Sequence, residues 1–350
     1  MKKDRQLVPI TSEQKPTRLG MKDVAEAANL ISMSVALTAY REGKAHETLR
    51  RQEYDLAVFT EYLTAEPPDG CGLSVGDLYT DLSSWEGCDF GLVAGFKRWM
   101  VQHGYSVGTV NLRLATVKRY CQLATSAGYI APQSLAMIKE VKGYTSKEGR
   151  NVDERRETTR VGTKKPLWTH IDYEQAEQLK HLDNPRDALL MCLLIDHGLR
   201  VGEVSALSID CFDLVGGLLV FYRRKVDKTQ THRLTPDTLD AARAYIEKTG
   251  SREKLFIAEG ENALTVRPDT IYGSERDWVT RAINMHVGVL GRRVGIENLS
   301  PHDCRHYWAT RATKRGTQIK NLQQAGGWNS PYMPIRYAED NAIANEGVIL

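Results

Sequence analysis

Four short stretches in the C-terminal half of the 350-residue chain hold residue types able to do chemistry on an anion. In Gly198-Leu199-Arg200-Val201-Gly202-Glu203 an arginine follows a strongly apolar run, in a turn flanked by glycines. A guanidinium carried by a rigid element presents its fork to an anion, and Glu203, three residues on, is spaced to orient it. In Ser300-Pro301-His302-Asp303-Cys304-Arg305-His306, Ser300 reads as an N-cap, Pro301 as the first helical residue and Asp303 as the capping-box carboxylate. His302 and Arg305 then share one face of the first turn, where free N–H groups and the helix dipole favour a phosphate. Ala325-Gly326-Gly327-Trp328-Asn329-Ser330-Pro331 ends one helix, at Gly326, and opens another that carries Tyr332, Arg336 and Tyr337. Lys225 and Lys228 stand at the tip of a strand pair. Each stretch alone also has a plain structural use: a surface Arg–Glu pair, a capped helix, a packed tyrosine, a charged hairpin.

Their order says more than any one of them. It runs arginine, hairpin lysine, His-x-x-Arg, a tryptophan 23 residues after Arg305 and a tyrosine nine residues after that. Through Gly-Leu-Arg-x-x-Glu, Pro-His-Asp-x-Arg-His and Gly-Gly-Trp-Asn-Ser…Arg-Tyr the second half resembles the tyrosine recombinase (phage-integrase-type) family. The first half, with its Thr48-Leu49-Arg50…Tyr54 start, resembles the family's core-binding domain more loosely. The resemblance implies that Arg200 and Arg305 are the two catalytic arginines, His302 the central histidine and Tyr337 the nucleophile. Lys225 most resembles the hairpin lysine, with Lys228 an adjacent candidate. Trp328 falls where many members have histidine and the Cre-like minority tryptophan. Cys304 replaces a usual leucine, and Glu203 falls on the acidic position that supports the arginine.

The activity so implied is that of a site-specific DNA recombinase or integrase, of a mobile element such as a transposon, acting on double-stranded DNA as a homo-tetramer through a Holliday junction. An accessory DNA-bending or directionality factor is a further implied partner. A tyrosine hydroxyl, pKa about 10, is a poor nucleophile until its proton leaves in the transition state. Two arginines on the non-bridging oxygens would neutralise the developing charge and favour phenolate at Tyr337. His302 would take the proton, Lys225 would protonate the departing 5′-oxygen, and the Trp328 indole N–H would bond a phosphate oxygen. The product would be a 3′-phosphotyrosine that conserves the bond energy, so the reaction needs no cofactor, neither ATP nor metal. Two rival readings use the same residues: a type IB topoisomerase, and a DNA-binding regulator that has retired its chemistry. The two-domain layout and the filled catalytic positions favour the recombinase.

These residues need elements to position them. The pattern predicts helices from Lys22 to about Glu42 (Val24, Ala28, Ile31, Val35 on one stripe), after Thr48 (Leu49, Leu56, Phe59, Leu63), over Phe90–Val101, over Val107–Ala124 and over Pro132–Val141. The clearest stripe is Val107, Val110, Leu114, Val117, Cys121 and Ala124. Asn184-Pro185 opens a helix apolar nearly all round, hence buried, which Gly198 stops. Gly217–Arg223 and Thr231–Thr235 read as two strands, and Asp277–Ala344 as mostly helix. Cys71–Asp89 gives no clear pattern. The expected fold is mainly α with a small antiparallel β-sheet, in two domains. Residues 1–21 are a flexible tail, 22–142 a helical core-DNA-binding (SAM-like) domain, 143–166 a basic linker, and 167–350 an α+β catalytic domain.

Composition excludes more than it selects. Forty-seven basic against 44 acidic residues leave +3, too mild to announce a nucleic-acid binder. The surplus is local: residues 142–165 hold eight basic groups against four acids, with Val152 and Val161 their only aliphatics. Such a strap cannot pack a core and would track phosphates. Arg155, Arg156, Lys164 and Lys165 on it, Arg113, Lys118 and Arg119 off the apolar stripe, and Lys228 are the candidate DNA contacts. Six scattered cysteines without C-x-x-C argue against a metal scaffold or disulfide framework. No apolar run nears the roughly 20 residues of a membrane span, and no secretory signal opens the chain. A cytoplasmic, nucleoid-associated protein without an extra N-terminal arm-binding domain is expected. The apolar end Val348-Ile349-Leu350 is a candidate docking peptide for a neighbouring protomer.

Overall fold

The structure, a computed structural model, describes residues 20–65, 71–156, 168–249, 254–256 and 275–339. The chain divides between Lys164 and Lys165 into two compact units. The described residues are mainly helical, with one small antiparallel sheet among them.

The first unit contains α1 (Met21–Glu42), α2 (His46–Ala65), α3 (Val75–Thr80), α4 (Phe90–Gln102), α5 (Val107–Ser126), α6 (Pro132–Glu140) and α7 (Ser146–Arg155). The predicted stripe of α5 is its core: Val110, Leu114, Val117, Cys121 and Ala124 are all sealed from solvent, packed with Leu56, Phe59, Trp85 and Phe96. A buried hydrogen bond from Thr116 to Asp55, 2.6 Å, ties α5 to α2. The unpatterned stretch 71–89 gains its order from caps. Ser74 and Asp77 close a capping box on α3, and the Trp85 indole donates to Leu78 O at 2.9 Å. Hydrophobic periodicity is blind to such bonds.

Two features depart from what the sequence pattern predicts. The stripe of α1 does not face the core: Ile31 is 65% exposed, and Val24 and Val35 are exposed too. The helix packs instead through Ala36, Leu37 and Tyr40. Residues 143–156, read as unpacked linker, fold onto α5. The Asn111 amide clasps Tyr144 with bonds of 2.8 and 2.7 Å, Thr145 and Glu148 cap α7, and Gly149 packs on Val107. Backbone and side-chain hydrogen bonds do the holding, which is why a count of aliphatics missed it. Lys164, Lys165 and the apolar C-terminal end lie outside the described residues.

The second unit is built on α9 (Pro185–Ile195), preceded by α8 (Tyr173–Lys180) and followed by α10 (Val201–Val204). Every residue of α9 after Pro185 is buried, as its all-round apolarity predicts. At its start the carboxylate of Asp187 meets Arg186 at 2.7 Å and His286 at 2.8 Å, an enclosed polar link. Three strands follow, β1 (Phe212–Asp213), β2 (Leu218–Arg223) and β3 (Lys228–Arg233), in antiparallel order 1-2-3. Strand β1 is too short to show a period, and β3 begins three residues earlier than predicted. The turn between β2 and β3 is a 3₁₀ segment over Arg224–Val226, closed by Asp227 in the left-handed region at φ 48°. Then come α11 (Pro236–Thr249), α12 (Glu275–Arg293), α13 (Pro301–Lys314), α14 (Ile319–Gly326) and α15 (Tyr332–Glu339). Ser300 and Asp303 cap α13 as predicted, and Gly327, one residue later than expected, ends α14 at φ 58°.

Candidate active site

Three elements deliver the cationic groups. Behind α9 the chain turns at Gly198, whose φ of +58° suits glycine and whose missing Cβ leaves room for the Trp308 ring. That turn sets Arg200 at the head of α10. Glu203 accepts from the Arg200 backbone N–H at 2.9 Å and from its Nη1 at 2.8 Å. Arg200 Nη2 donates to Gly327 O at 2.8 Å. From the first turn of α13 the buried Arg305 donates to Gly198 O and to Gly326 O. From the end of β2 comes Arg223, fully enclosed, donating to both Glu203 oxygens at 3.1 and 3.0 Å, to Gly326 O at 3.0 Å and to Ala325 O at 2.7 Å.

Three guanidinium groups therefore gather on three successive carbonyls at the C-terminal end of α14, the negative end of its dipole. Glu203 is the carboxylate among them, so the cluster keeps two positive charges in excess. Burial, with Arg200 adding repulsion, pushes Arg305 down to about 9; Glu203 pulls the other way. Burial likewise lowers Arg223 to about 10. A charged cluster this poorly solvated is stabilised by an arriving anion.

Trp328 follows those carbonyls directly. Its ring lies 4.5 Å from the Arg305 guanidinium carbon and 5.5 Å from the Tyr337 ring. Tyr337, on α15, is 5% exposed, and its proximity favours the charged form of Arg305. His306 meets Tyr337 edge-on at 4.8 Å and stacks on Trp168 at 3.9 Å on its other side. The structure thus brings together Arg200, Glu203, Arg305, Trp328 and Tyr337. His302 stands exposed on the first turn of α13. Lys225 and Lys228 are both exposed at the hairpin, but register separates them. Lys228 pairs with Arg223, so the two side chains share the sheet face that looks into the cluster, whereas Lys225 sits in the 3₁₀ turn.

Two residues of this cluster were not anticipated. Arg223 occupies an inward position of β2, in step with Leu219 and Phe221. An arginine in phase with an apolar strand face is the signal that could have found it. His306 directly follows Arg305 in Pro-His-Asp-x-Arg-His, where the family's histidine role falls on His302.

The candidate DNA contacts divide. Lys118 donates to Lys139 O and Val141 O at 2.8 and 2.9 Å, closing the end of α6. Arg113 lies 4.2 Å over the Tyr105 ring and 3.8 Å from Asp55. Arg119 bonds Gln122 at 2.9 Å and lies 5.0 Å over the Tyr40 ring. Arg156 donates to Tyr105 O at 3.0 Å and pairs with Asp153 at 2.7 Å. Arg155 stays exposed at the end of α7. Among the described residues one group, Glu177, His181 and Asp237, clusters ligand atoms as a metal site would. Lys180 already supplies a cation there, 2.9 Å from Glu177 and 2.6 Å from Asp237.

Comparison with known proteins gives one answer. The sequence pattern of the Phage integrase family matches residues 169–343. Tyrosine recombinase XerA of Pyrococcus furiosus is 26% identical over 215 residues, 60% of this chain and 70% of that one. Tyrosine recombinase XerA of Thermococcus kodakarensis is 25% identical over 254 residues, 67% and 86% of the two chains. The fold resembles the Tn1549 transposon integrase solved with transposon right end DNA, with a TM-score of 0.55 at 14% identity over 88% of this chain and 94% of that one. It also resembles a lambda integrase dimer bound to a COC′ core site, with a TM-score of 0.56 at 12% identity over 96% and 84%. At these identities the two structures show a common fold.

Proposed function

Since the chain belongs to the phage integrase family of tyrosine recombinases, we propose that it breaks and rejoins DNA strands at a specific site, with Tyr337 as nucleophile. The observation that carries this is the convergence of Arg200 and Arg305 on the carbonyls that lead into Trp328, whose ring touches Tyr337. A phosphodiester carries one negative charge, and its pentavalent transition state two. The excess of two positive charges in the cluster matches the second better than the first, the condition for accelerating the chemical step.

In the proposed reaction Tyr337 Oη attacks a backbone phosphorus, its proton passing to His302 or solvent. The bond from phosphorus to the 5′-oxygen breaks, leaving a 3′-phosphotyrosine and a free 5′-hydroxyl. Lys228, on the face shared with Arg223, is placed better than Lys225 to protonate that oxygen. Attack by a 5′-hydroxyl of another strand reverses the steps and restores the tyrosine. Exchange on two duplexes calls for four copies of the chain and a Holliday junction between them. Recombination of a mobile element is the biological setting we favour, and lambda-type or transposon-type substrates are the class to try first.

The test starts from randomised duplexes, selected for binding and then nicked so that the short fragment carrying the released 5′-hydroxyl diffuses away. Wild-type protein is expected to form a covalent adduct that survives denaturation, and Tyr337→Phe none. An adduct that persists in Tyr337→Phe sinks the assignment. Its absence from wild type on every bound duplex leaves a silent DNA binder.

A further inference from the structure

We infer that Arg223 is a positioning residue for the proposed strand cleavage, the brace that sets Arg200 and Arg305 relative to one another; the inference rests on the recombinase reading. Arg223 is 0% exposed, so DNA does not reach it. It touches what both arginines touch. Its Nη1 binds the Glu203 carboxylate, which also holds Arg200, and Gly326 O, which also accepts from Arg305. Its Nη2 takes Ala325 O. The fit is close on every side: a Cβ on Gly327 would lie 2.6 Å from Arg223 Cδ.

Stability is a poor reason for this arrangement. A buried ion pair is often no more stabilising than apolar side chains of similar volume, and here the Arg223 Nε finds no acceptor among the described residues. The benefit lies in how Glu203 is shared. With Arg223 bound to both its oxygens, the carboxylate cannot turn wholly onto Arg200, whose remaining N–H donors stay available to a phosphate. Without Arg223, Glu203 would pair with Arg200 alone, and Gly326 O would lose one of its two donors. A lysine keeps the charge but has no planar fork to span a carboxylate and two carbonyls.

The experiment compares wild type, Arg223→Lys, Arg223→Met, Glu203→Gln and the double variant Arg223→Met/Glu203→Gln, which removes both charges of the buried pair together, keeping the cluster's excess of two, if the lysine variant fails to fold. Thermal melting, duplex affinity and single-turnover formation of the Tyr337 adduct are measured for each. Arg223→Lys is expected to bind duplex like wild type yet cleave about 100-fold more slowly, as misplaced catalytic groups do. The double variant is expected to be no slower than the slower of the Arg223 and Glu203 lesions, because both break one bridge. Cleavage by Arg223→Lys within about threefold of wild type overturns the inference, as does a loss that merely follows melting or affinity. Multiplying losses in the double variant overturn it as well. A wild type that forms no adduct removes the recombinase reading and Arg223 with it, an outcome distinct from the others.

Discussion

Arg305 combines burial and cationic neighbours, which push its guanidinium down from the ordinary arginine range to about 9. Its charge is present below that pH and lost above it. Cleavage at limiting duplex is therefore expected to fall as pH rises through about 9. A bound phosphate favours the guanidinium, so at saturating duplex the fall should move to higher pH. Rate profiles under both conditions check this; a fall at one and the same pH in each would mean that Arg305 does not meet the substrate. Most of the site was legible at this scale because the motif residues advertise themselves by type and spacing. Arg223 was not, since its meaning lies in the face of a strand it occupies and in two carbonyls about a hundred positions along the chain.

Elements explain why these side chains stand where they do. The buried α9 fixes the height of Gly198, and Gly198 in turn seats Trp308 and supplies a carbonyl to Arg305. Gly198→Ala forces φ of +58° on an L-residue, about 1–3 kcal/mol, and drives a Cβ into the Trp308 ring. A lower melting temperature together with loss of adduct is the expected result; wild-type melting would show that the turn relaxes freely. The helices with long apolar stripes, α5 and α9, were readable from periodicity. Elements held by polar closures were not: α7 hangs on Asn111 and Arg156, and the short helix α3 on one capping box. In α1 the period was right and the face wrong, because a helix with apolar residues on two sides does not say which one its own core takes.

Across the whole molecule the surplus charge is smaller in effect than the count of basic residues suggests. Arg156 is committed to Tyr105 and Asp153, whereas Arg155, exposed at the end of α7, has no such bond among the described residues. Arg155→Ala is expected to lower the salt dependence of duplex binding by about one unit of slope. Arg156→Ala should leave that slope nearly unchanged and destabilise the first unit instead. Equal slopes for Arg155→Ala and wild type would remove Arg155 from the DNA-facing surface. The division into a helical unit and an α+β unit follows from length and pattern. The join does not, because residues 142–165 read as one basic strap while their first half obeys the packing of α5.

The seat of the three arginines has an evolutionary meaning. Ala325, Gly326 and Gly327 receive them through main-chain oxygens, and mutation alters side chains while leaving carbonyls in place. Outward residues of α14 are thus free to drift without unseating the guanidinium groups. The limits fall on bulk, since a Cβ at Gly326 would strike the Trp328 ring. Lineages can diverge widely in sequence around such a receptor and still inherit it whole.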